Sequence, residues 1–390
     1  MIAVNGEGVN MDERNDINKF RKKTMQRKMI FRFALVVLLA LTIILVAVNW
    51  GKIIAPLKDA ALDIGEGGYP VELPGSTSYM LEELGENYCL LTDTYLYTYN
   101  PDGANIISVQ HGYQNPAVDA NDKRVLVYDR SGKGVKFFSK SAEIYSKSME
   151  DTIVFAEIGK DDRCAVVTTS VRYSNYLYVL NAEGDTIFRW ASPDEKIMQV
   201  CFSDDDSSIY VSVIGEEKGE LRIRVLCFSL TANVEKETWQ TYIGSEITYS
   251  LEYCDDGIYA VTGGGNIVLD KNTGEILAQG YFSKAVSDIP PCDGLRVVMF
   301  HDTVSNGEIL TVYGSDLAPL HSVSPESVTA VDVCNGKMYI LSDNMLYQYN
   351  SSLELTQEYE LDNSYSDLRV IDNSAILLGY NSVQKQALKG

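Results

Sequence analysis

Side chains that could carry catalysis are few and scattered along this sequence. There are three histidines, His111, His301 and His321, and no two of them have the spacing of metal ligands. The sequence contains no nucleophile elbow, phosphate-binding loop or dinucleotide fingerprint. Its 54 Asp and Glu are so many that no pair stands out for glycosidase chemistry. The sequence therefore predicts no catalytic residue, no metal site and no cofactor, and it favours a binding protein over an enzyme.

One group of polar residues has the composition of a binding site. Residues 110–116 are rich in aromatic and amide side chains, and three other short segments carry aspartate, arginine or tyrosine. If the chain folds as four-stranded repeats, the links between repeats and the turns between second and third strands share one face, where loops on a rigid scaffold commonly bind ligands. The alternative is that the aspartates hydrogen-bond only their own turns and that His111 packs a loop. The predicted binding residues are His111, Tyr113, Asn115, Asp93, Asp129, Arg130, Arg172 and Tyr173.

The elements that would position these residues are repeated strands and turns. Residues 91–100 recur 250 positions later as residues 341–350, each with an apolar strand, a polar turn and an alternating Leu/Tyr strand. Clusters of Asp, Asn and Gly recur about every 41 residues, close to the ~40–45 residues of a four-stranded propeller blade. Such clusters mark hairpin turns, as at Asn335-Gly336 and in the acidic run Asp204-Asp205-Asp206. The predicted strands that follow the clusters are 88–92, 124–128, 164–168, 209–213, 258–261, 296–300, 337–341 and 375–379.

These eight units predict an all-β fold, a β-propeller with eight blades. The last unit has room for only two strands, so we expect residues 69–74 to supply its outer strand and close the ring. The two prolines in that segment, Pro70 and Pro74, suit an edge strand, which needs fewer N–H donors. A ring of seven blades is the alternative, with the weak unit at Asp293-Gly294 reduced to a loop.

The N-terminus predicts a membrane anchor. Residues 33–48 are apolar except for Thr42, and with their flanks they are long enough to span a bilayer. Eight Lys and Arg lie within the first 32 residues, which predicts a cytoplasmic N-terminus and an extracellular C-terminal domain. A cleaved signal peptide is the alternative, but no good small-residue cleavage site follows the apolar stretch.

Charge changes sign at this boundary. Residues 1–50 contain eight basic and four acidic side chains, whereas the remainder contains 25 basic and 50 acidic. A surface this acidic repels phosphate backbones, so we expect no nucleic-acid partner.

The seven cysteines have the contexts of core residues rather than of a disulfide framework. Cys89, Cys164, Cys201 and Cys227 each lie within an apolar strand pattern, where a free thiol packs as a small hydrophobic group. Their number is odd and no C-x-x-C occurs. We therefore expect buried free thiols.

Several motifs resemble those of an uncharacterised family, a domain-of-unknown-function family of single-pass bacterial membrane proteins. They are residues 68–75, Leu-Leu-Thr-Asp ending at Asp93, His-Gly-Tyr ending at Tyr113 and Val-Tyr-Asp-Arg ending at Arg130. The family occurs mainly among anaerobic Gram-positive bacteria. The resemblance implies a cell-membrane location and a WD40-like, propeller-like domain outside the membrane, and it implies no activity.

The predicted organisation has four parts: a basic cytoplasmic segment (1–28), a transmembrane signal anchor (29–50), a linker (51–67) and an extracytoplasmic propeller (68–390). The expected function is a non-enzymatic binding or scaffolding module at the cell envelope. Its expected partners are the membrane, through residues 29–50, and an envelope protein or glycan. The alternative is an envelope hydrolase that acts on glycan or peptide through surface carboxylates.

Overall fold

A computed structural model describes residues 67–231, 236–304 and 306–389, together with residues 33, 35 and 38, which are helical. Within this described part of the chain, no helix is long and apolar enough to cross a membrane. The predicted basic segment, most of the predicted anchor and the linker as far as residue 66 lie outside the described residues. The prediction of an anchor therefore stays a prediction.

The propeller consists of eight four-stranded antiparallel sheets. In the first four blades the strands follow one another in sequence from the innermost to the outermost position. These strands are, in blade one, β2 (Tyr79–Leu84), β3 (Asn87–Thr92), β4 (Tyr95–Tyr99) and β5 (Asn105–Gln110); in blade two, β6 (Pro116–Ala120), β7 (Arg124–Asp129), β8 (Gly134–Ser139) and β9 (Glu143–Ser148); in blade three, β10 (Ile153–Ile158), β11 (Cys164–Thr168), β12 (Asn175–Leu180) and β13 (Thr186–Ser192); and in blade four, β14 (Lys196–Phe202), β15 (Ser208–Glu217), β16 (Glu220–Ser229) and β17 (Trp239–Gly244).

Blades five to seven repeat this order, whereas blade eight takes its outermost strand from the beginning of the domain. The strands are, in blade five, β18 (Thr248–Cys254), β19 (Gly257–Thr262), β20 (Gly265–Leu269) and β21 (Ile276–Tyr281); in blade six, β22 (Val286–Asp288), β23 (Arg296–Asp302), β24 (Gly307–Tyr313) and β25 (Pro319–Val323); in blade seven, β26 (Ala330–Cys334), β27 (Lys337–Ser342), β28 (Met345–Tyr349) and β29 (Leu355–Glu360); and in blade eight, β30 (Asp367–Ile371), β31 (Ser374–Leu378), β32 (Ser382–Ala387) and β1 (Val71–Glu72).

The burial of each strand follows from its place in a blade. Second strands such as β3 and β19 are buried at every position because neighbouring blades pack against both faces of the sheet. Fourth strands such as β5 and β25 face solvent along most of their length. All eight predicted strands are second strands, so the sequence pattern detected the part of each blade with the most continuous apolar character.

The ring has two faces that differ in their loops. First strands of successive blades contact one another, as β14 contacts β18 and β30 contacts β2, so they surround the axis. We call the face with the blade-to-blade links and the turns between second and third strands the upper face. The lower face carries the turns between first and second strands and those between third and fourth strands.

The ring closes as predicted. Val71 pairs with Val383 and Glu72 with Ser382, which makes β1 the outer strand of blade eight. The Leu73 N–H donates to Asn381 O at 2.9 Å, and Val71 packs in a cluster with Tyr88 and Leu378. The unit at Asp293-Gly294 is a complete blade, so the prediction of eight blades is confirmed and the alternative of seven is wrong.

The cysteines also lie as predicted. Cys89, Cys164, Cys201 and Cys227 are buried, and all seven cysteines are free thiols. Cys89 packs between blades one and two with Leu91 and Val125. The remaining three, Cys254, Cys292 and Cys334, are only partly buried.

Candidate binding face

The link between blades one and two is organised around the buried His111. The ring atom Nε2 of His111 lies 3.1 Å from Thr92 O, and the Tyr113 N–H donates to Nδ1 at 3.0 Å. These partners place the proton of the neutral ring on Nε2. Burial lowers the pKa of His111, and the side chain is only 3 % exposed. His111 therefore shapes the link from within and offers no exposed nitrogen to a ligand.

The same link joins blade one to blade two. Asp129 Oδ1 accepts the Asn115 N–H at 3.0 Å, and the Arg130 N–H donates to Asn115 O at 2.8 Å. Tyr113 lies against Gly134, where an added Cβ would be 2.3 Å from the ring. The side chains of Asn115 and Arg130 stay exposed on this braced backbone. The upper face of blades one and two is thus held in a defined shape.

The other predicted residues belong to their own turns. Asp93 accepts hydrogen bonds from Thr94 Oγ1 at 2.9 Å and Thr77 Oγ1 at 3.0 Å, and these contacts lower its pKa. In blade three the backbone N–H groups of Arg172 and Tyr173 donate to Ser170 Oγ, and the Arg172 guanidinium lies 5.4 Å from the Tyr173 ring centre.

All eight predicted residues therefore lie in upper-face loops or at the strand ends that border them. The structure brings five of them together across blades one and two: His111, Tyr113, Asn115, Asp129 and Arg130. Asp93 lies beside this group, because the His111 N–H donates to Thr94 O at 3.2 Å. Arg172 and Tyr173 form a second, separate pair on blade three.

Sequence reasoning missed a cleft next to that pair. Strands β15 and β16 extend beyond the other strands as a hairpin, and with the link 193–195 they enclose a cleft of 560 Å³. Arg224 binds Glu195 through two nitrogens, and the Arg222 guanidinium lies 4.8 Å from the Tyr242 ring centre. The sequence signal was the pair Lys218-Gly219, because a glycine at this position favours a tight hairpin turn. In the structure these two residues have positive φ angles of 58° and 87° and form the turn of the longer hairpin.

The two faces also differ in exposed apolar side chains, a feature that needs the three-dimensional arrangement to be seen. Within residues 67–231, 236–304 and 306–389, eleven large exposed apolar residues are in upper-face loops or within three residues of the upper end of a strand. They are Met80, Tyr95, Val154, Val171, Leu221, Tyr242, Ile247, Tyr249, Tyr281, Val304 and Tyr380. Six others lie in the first two positions of outermost strands, near the lower face: Ile144, Ile187, Ile276, Leu277, Leu320 and Leu355. In the described chain, then, large exposed apolar side chains are more numerous at the upper face, and those near the lower face lie on the outer rim.

Carboxylates on the innermost strands were not predicted either. Burial raises the pKa of Asp119 to about 7 and that of Asp332 to about 6. Each carboxylate also accepts a backbone N–H from the next blade, which lowers its pKa by a smaller amount. Ile158 N donates to Asp119 at 2.7 Å, and Val370 N donates to Asp332 at 2.6 Å. These bonds tie neighbouring inner strands together, so the two carboxylates have a structural role. Burial also raises the pKa of Glu157, and nearby Asp119 adds to that shift.

The fold defines an eight-bladed β-propeller of the WD40-like kind, and the upper face carries structured loops. The chain belongs to the family described as "Family of unknown function (DUF5711)", whose model matches residues 69–388. No curated protein sequence matches the chain.

Solved structures show the same architecture at low sequence identity. The computationally designed Ika8 protein is similar with a TM-score of 0.59, at 14% identity over 82% of this chain and 100% of its own. The C-terminal WD40 domain of Sif2 gives 0.59, at 13% identity over 84% and 100%. BamB from Moraxella catarrhalis gives 0.55, at 12% identity over 81% and 100%. These similarities establish the fold and nothing more.

Proposed function

We propose that this protein is a membrane-anchored, extracytoplasmic β-propeller that serves as a non-enzymatic binding or scaffolding module at the cell envelope. Its upper face binds an envelope protein or a glycan. The observation that carries the proposal is the greater number of exposed apolar side chains at the upper face, because water-exposed aromatic and aliphatic groups beside arginines are typical of interaction surfaces. Tyr281, 80 % exposed, and the fully exposed Val171 are examples.

The path of the chain supports this arrangement. Gly67 lies against Asp102 and Ala104 in a lower-face turn, where an added Cβ would be 2.3 Å from Ala104 N. From there β1 runs upward to Leu73, which bonds to Asn381 in an upper-face turn. The described part of the domain therefore begins at the lower face, away from the proposed partner surface.

Two exposed arginines provide the test. The full-length chain with an affinity tag is expressed in its host and solubilised, and the proteins and glycans captured with it are identified by mass spectrometry. We expect Arg130→Ala/Arg172→Ala to keep the melting temperature nearly unchanged, because exposed charges contribute little to stability. The same variant should lose most of the captured partner.

A matched control removes two positive charges elsewhere. Lys123 and Lys236 are both exposed in lower-face turns, so Lys123→Ala/Lys236→Ala changes the net charge equally without touching the upper face. Capture should persist in this control. Equal capture by both double variants, or equal loss in both, would contradict an upper-face site.

A further inference from the structure

Three potential metal ligands converge between blades five and six. Glu252 and Cys254 are on the innermost strand β18, and Cys292 is in the connection between β22 and β23. One ligand atom from each residue lies within 4.8 Å of the other two. Glu252 and Cys254 are two residues apart on one strand, so their side chains point to the same face of the sheet.

The distance between the two sulfurs matches a shared metal. Cys254 Sγ and Cys292 Sγ are 3.8 Å apart. Two thiolates bonded to one tetrahedral Zn²⁺ at about 2.3 Å lie about 3.8 Å from each other. The backbone holds the third ligand in place, because the Cys292 N–H donates to Glu252 Oε2 at 3.1 Å.

The surroundings suit a cation with bound thiolates. Arg296 pairs with Asp256 and lies over the Tyr259 ring, so one positive charge is fixed beside the cluster. Two thiolates, one carboxylate and a divalent cation carry a net charge of about −1, and the nearby guanidinium, which is shared with Asp256, attracts that charge. Cys254 and Cys292 line a lower-face cleft of 670 Å³ that opens to solvent. A fourth coordination position would therefore be accessible to water.

We propose that Glu252, Cys254 and Cys292 bind a divalent cation of the zinc class and that this cation joins blade five to blade six. Soft thiolate ligands together with one carboxylate select zinc over magnesium or calcium, which prefer all-oxygen sites. The site lies on the opposite face from the proposed partner-binding surface, so the two proposals stand independently.

Cobalt titration of the full-length chain tests the site. The protein is purified in detergent with a phosphine reductant and without chelator, and Co²⁺ is added while thiolate-to-cobalt charge-transfer absorption is recorded. We expect one equivalent to bind, Zn²⁺ to displace it, and the melting temperature to rise with metal concentration because the ion binds only the folded state. Cys254→Ser and Cys292→Ser should each abolish the absorption.

Two further variants guard against unfolding and non-specific binding. Cys334→Ser changes another partly buried thiol and should keep the full absorption. Glu252→Gln preserves size and both thiols. It should weaken Co²⁺ binding by about 10–100-fold or more, because losing even a residue that only supports a ligand typically costs that much.

Absence of thiolate–cobalt absorption in the reduced wild type would overturn the proposal, and so would absorption that survives in either serine variant. A Cys254–Cys292 disulfide in unreduced protein, with no metal binding after reduction, would assign the pair to redox chemistry instead.

Discussion

Asp206 is buried in the turn between β14 and β15, whereas Asp204 and Asp205 beside it are exposed. The turn itself matches the hairpin predicted from the acidic run, since the Asp206 N–H donates to Ser203 O at 2.9 Å. Asp206 also accepts the backbone N–H groups of Lys160 at 2.9 Å and Asp161 at 2.7 Å. Those bonds reach into the corresponding turn of blade three. One residue thus braces two blades.

Asp206→Ala should therefore destabilise the ring. Two part-buried backbone N–H groups would lose a charged acceptor, which corresponds to about 2–4 kcal/mol in the free energy of unfolding. Asp204→Ala is the control, because its contact with Lys160 Nζ is an exposed ion pair worth little. Urea unfolding of both variants measures the difference. Equal stability of the two variants would show that the interblade bonds are dispensable.

Buried carboxylates make a prediction about pH. Burial raises the pKa of Asp119 to about 7 and that of Asp332 to about 6. Because these values lie above those of the unfolded chain, the folded state binds more protons between about pH 4 and 7. The free energy of unfolding should fall as pH rises through this window. Thermal melts at pH 5.5 and 8 should show the higher melting temperature at pH 5.5.

Asp119→Asn isolates one contributor. The amide oxygen can still accept the Ile158 N–H, but the side chain no longer ionises, so the melting temperature should depend less on pH. Asp205→Asn is the matched control, because hydrogen bonds from Ser207 and Ser203 lower the pKa of Asp205 to about 2, outside the window. A pH dependence that is unchanged in Asp119→Asn, or a melting temperature that rises towards pH 8, would argue against this account.

Among elements, β1 is two residues long and yet closes the ring. Deletion of residues 69–74 removes its pairing with β32 and the burial of Val71, which alone contributes about 1.5–3 kcal/mol. It also exposes β32 as an unpaired edge. We expect a melting temperature several degrees lower and a greater tendency to aggregate. Deletion of residues 57–66 in the same full-length chain should have little effect.

A melting curve indistinguishable between the two deletions would contradict the role of β1 in closure. The comparison is matched because both deletions shorten the connection to the N-terminal segment. Light scattering during the melt separates loss of stability from aggregation at the exposed edge.

The sequence predicted those strands whose apolar pattern matches their buried position in the blade. Each of the eight second strands contains a run of mostly apolar residues, as in β3 and β19, so each was visible from sequence. The upper halves of β15 and β16 were not, because Gly215, Glu216 and Glu217 in this exposed hairpin resemble a loop in composition. The convergence of Glu252, Cys254 and Cys292 was also hidden, since only the packing of blade five on blade six brings residues 40 positions apart into contact.

At the scale of the whole molecule, the repeat period and the predicted closing strand led to the correct ring. The binding cluster was less predictable. Turn topology placed its members on one face, but it carried no information on which side chains turn inward. His111 in a blade-to-blade link is buried, whereas Arg130 and Arg172 in turns between second and third strands are exposed.

The topology of the proposed anchor can be tested on intact cells. Protease added outside should digest the propeller and leave a protected N-terminal fragment, because the basic residues before the apolar stretch predict a cytoplasmic N-terminus. Immunoblotting with tags at the two ends follows both fragments. Full protection of the C-terminal tag in intact cells, with digestion after lysis, would place the domain inside and refute the proposed location.

The pairing of β1 with β32 also determines when this protein can finish folding. A ribosome makes β1 before all the other blades and β32 only after seven of them, so the first strand must wait for the intervening blades before its partner exists. During that interval blades one to seven can form in order, each against its predecessor, while both open ends of the growing ring lack a neighbour. Unpaired strand edges are templates for association with other chains. The nascent protein is therefore most vulnerable just before β32 appears, and a premature stop there would leave an almost complete but open arc.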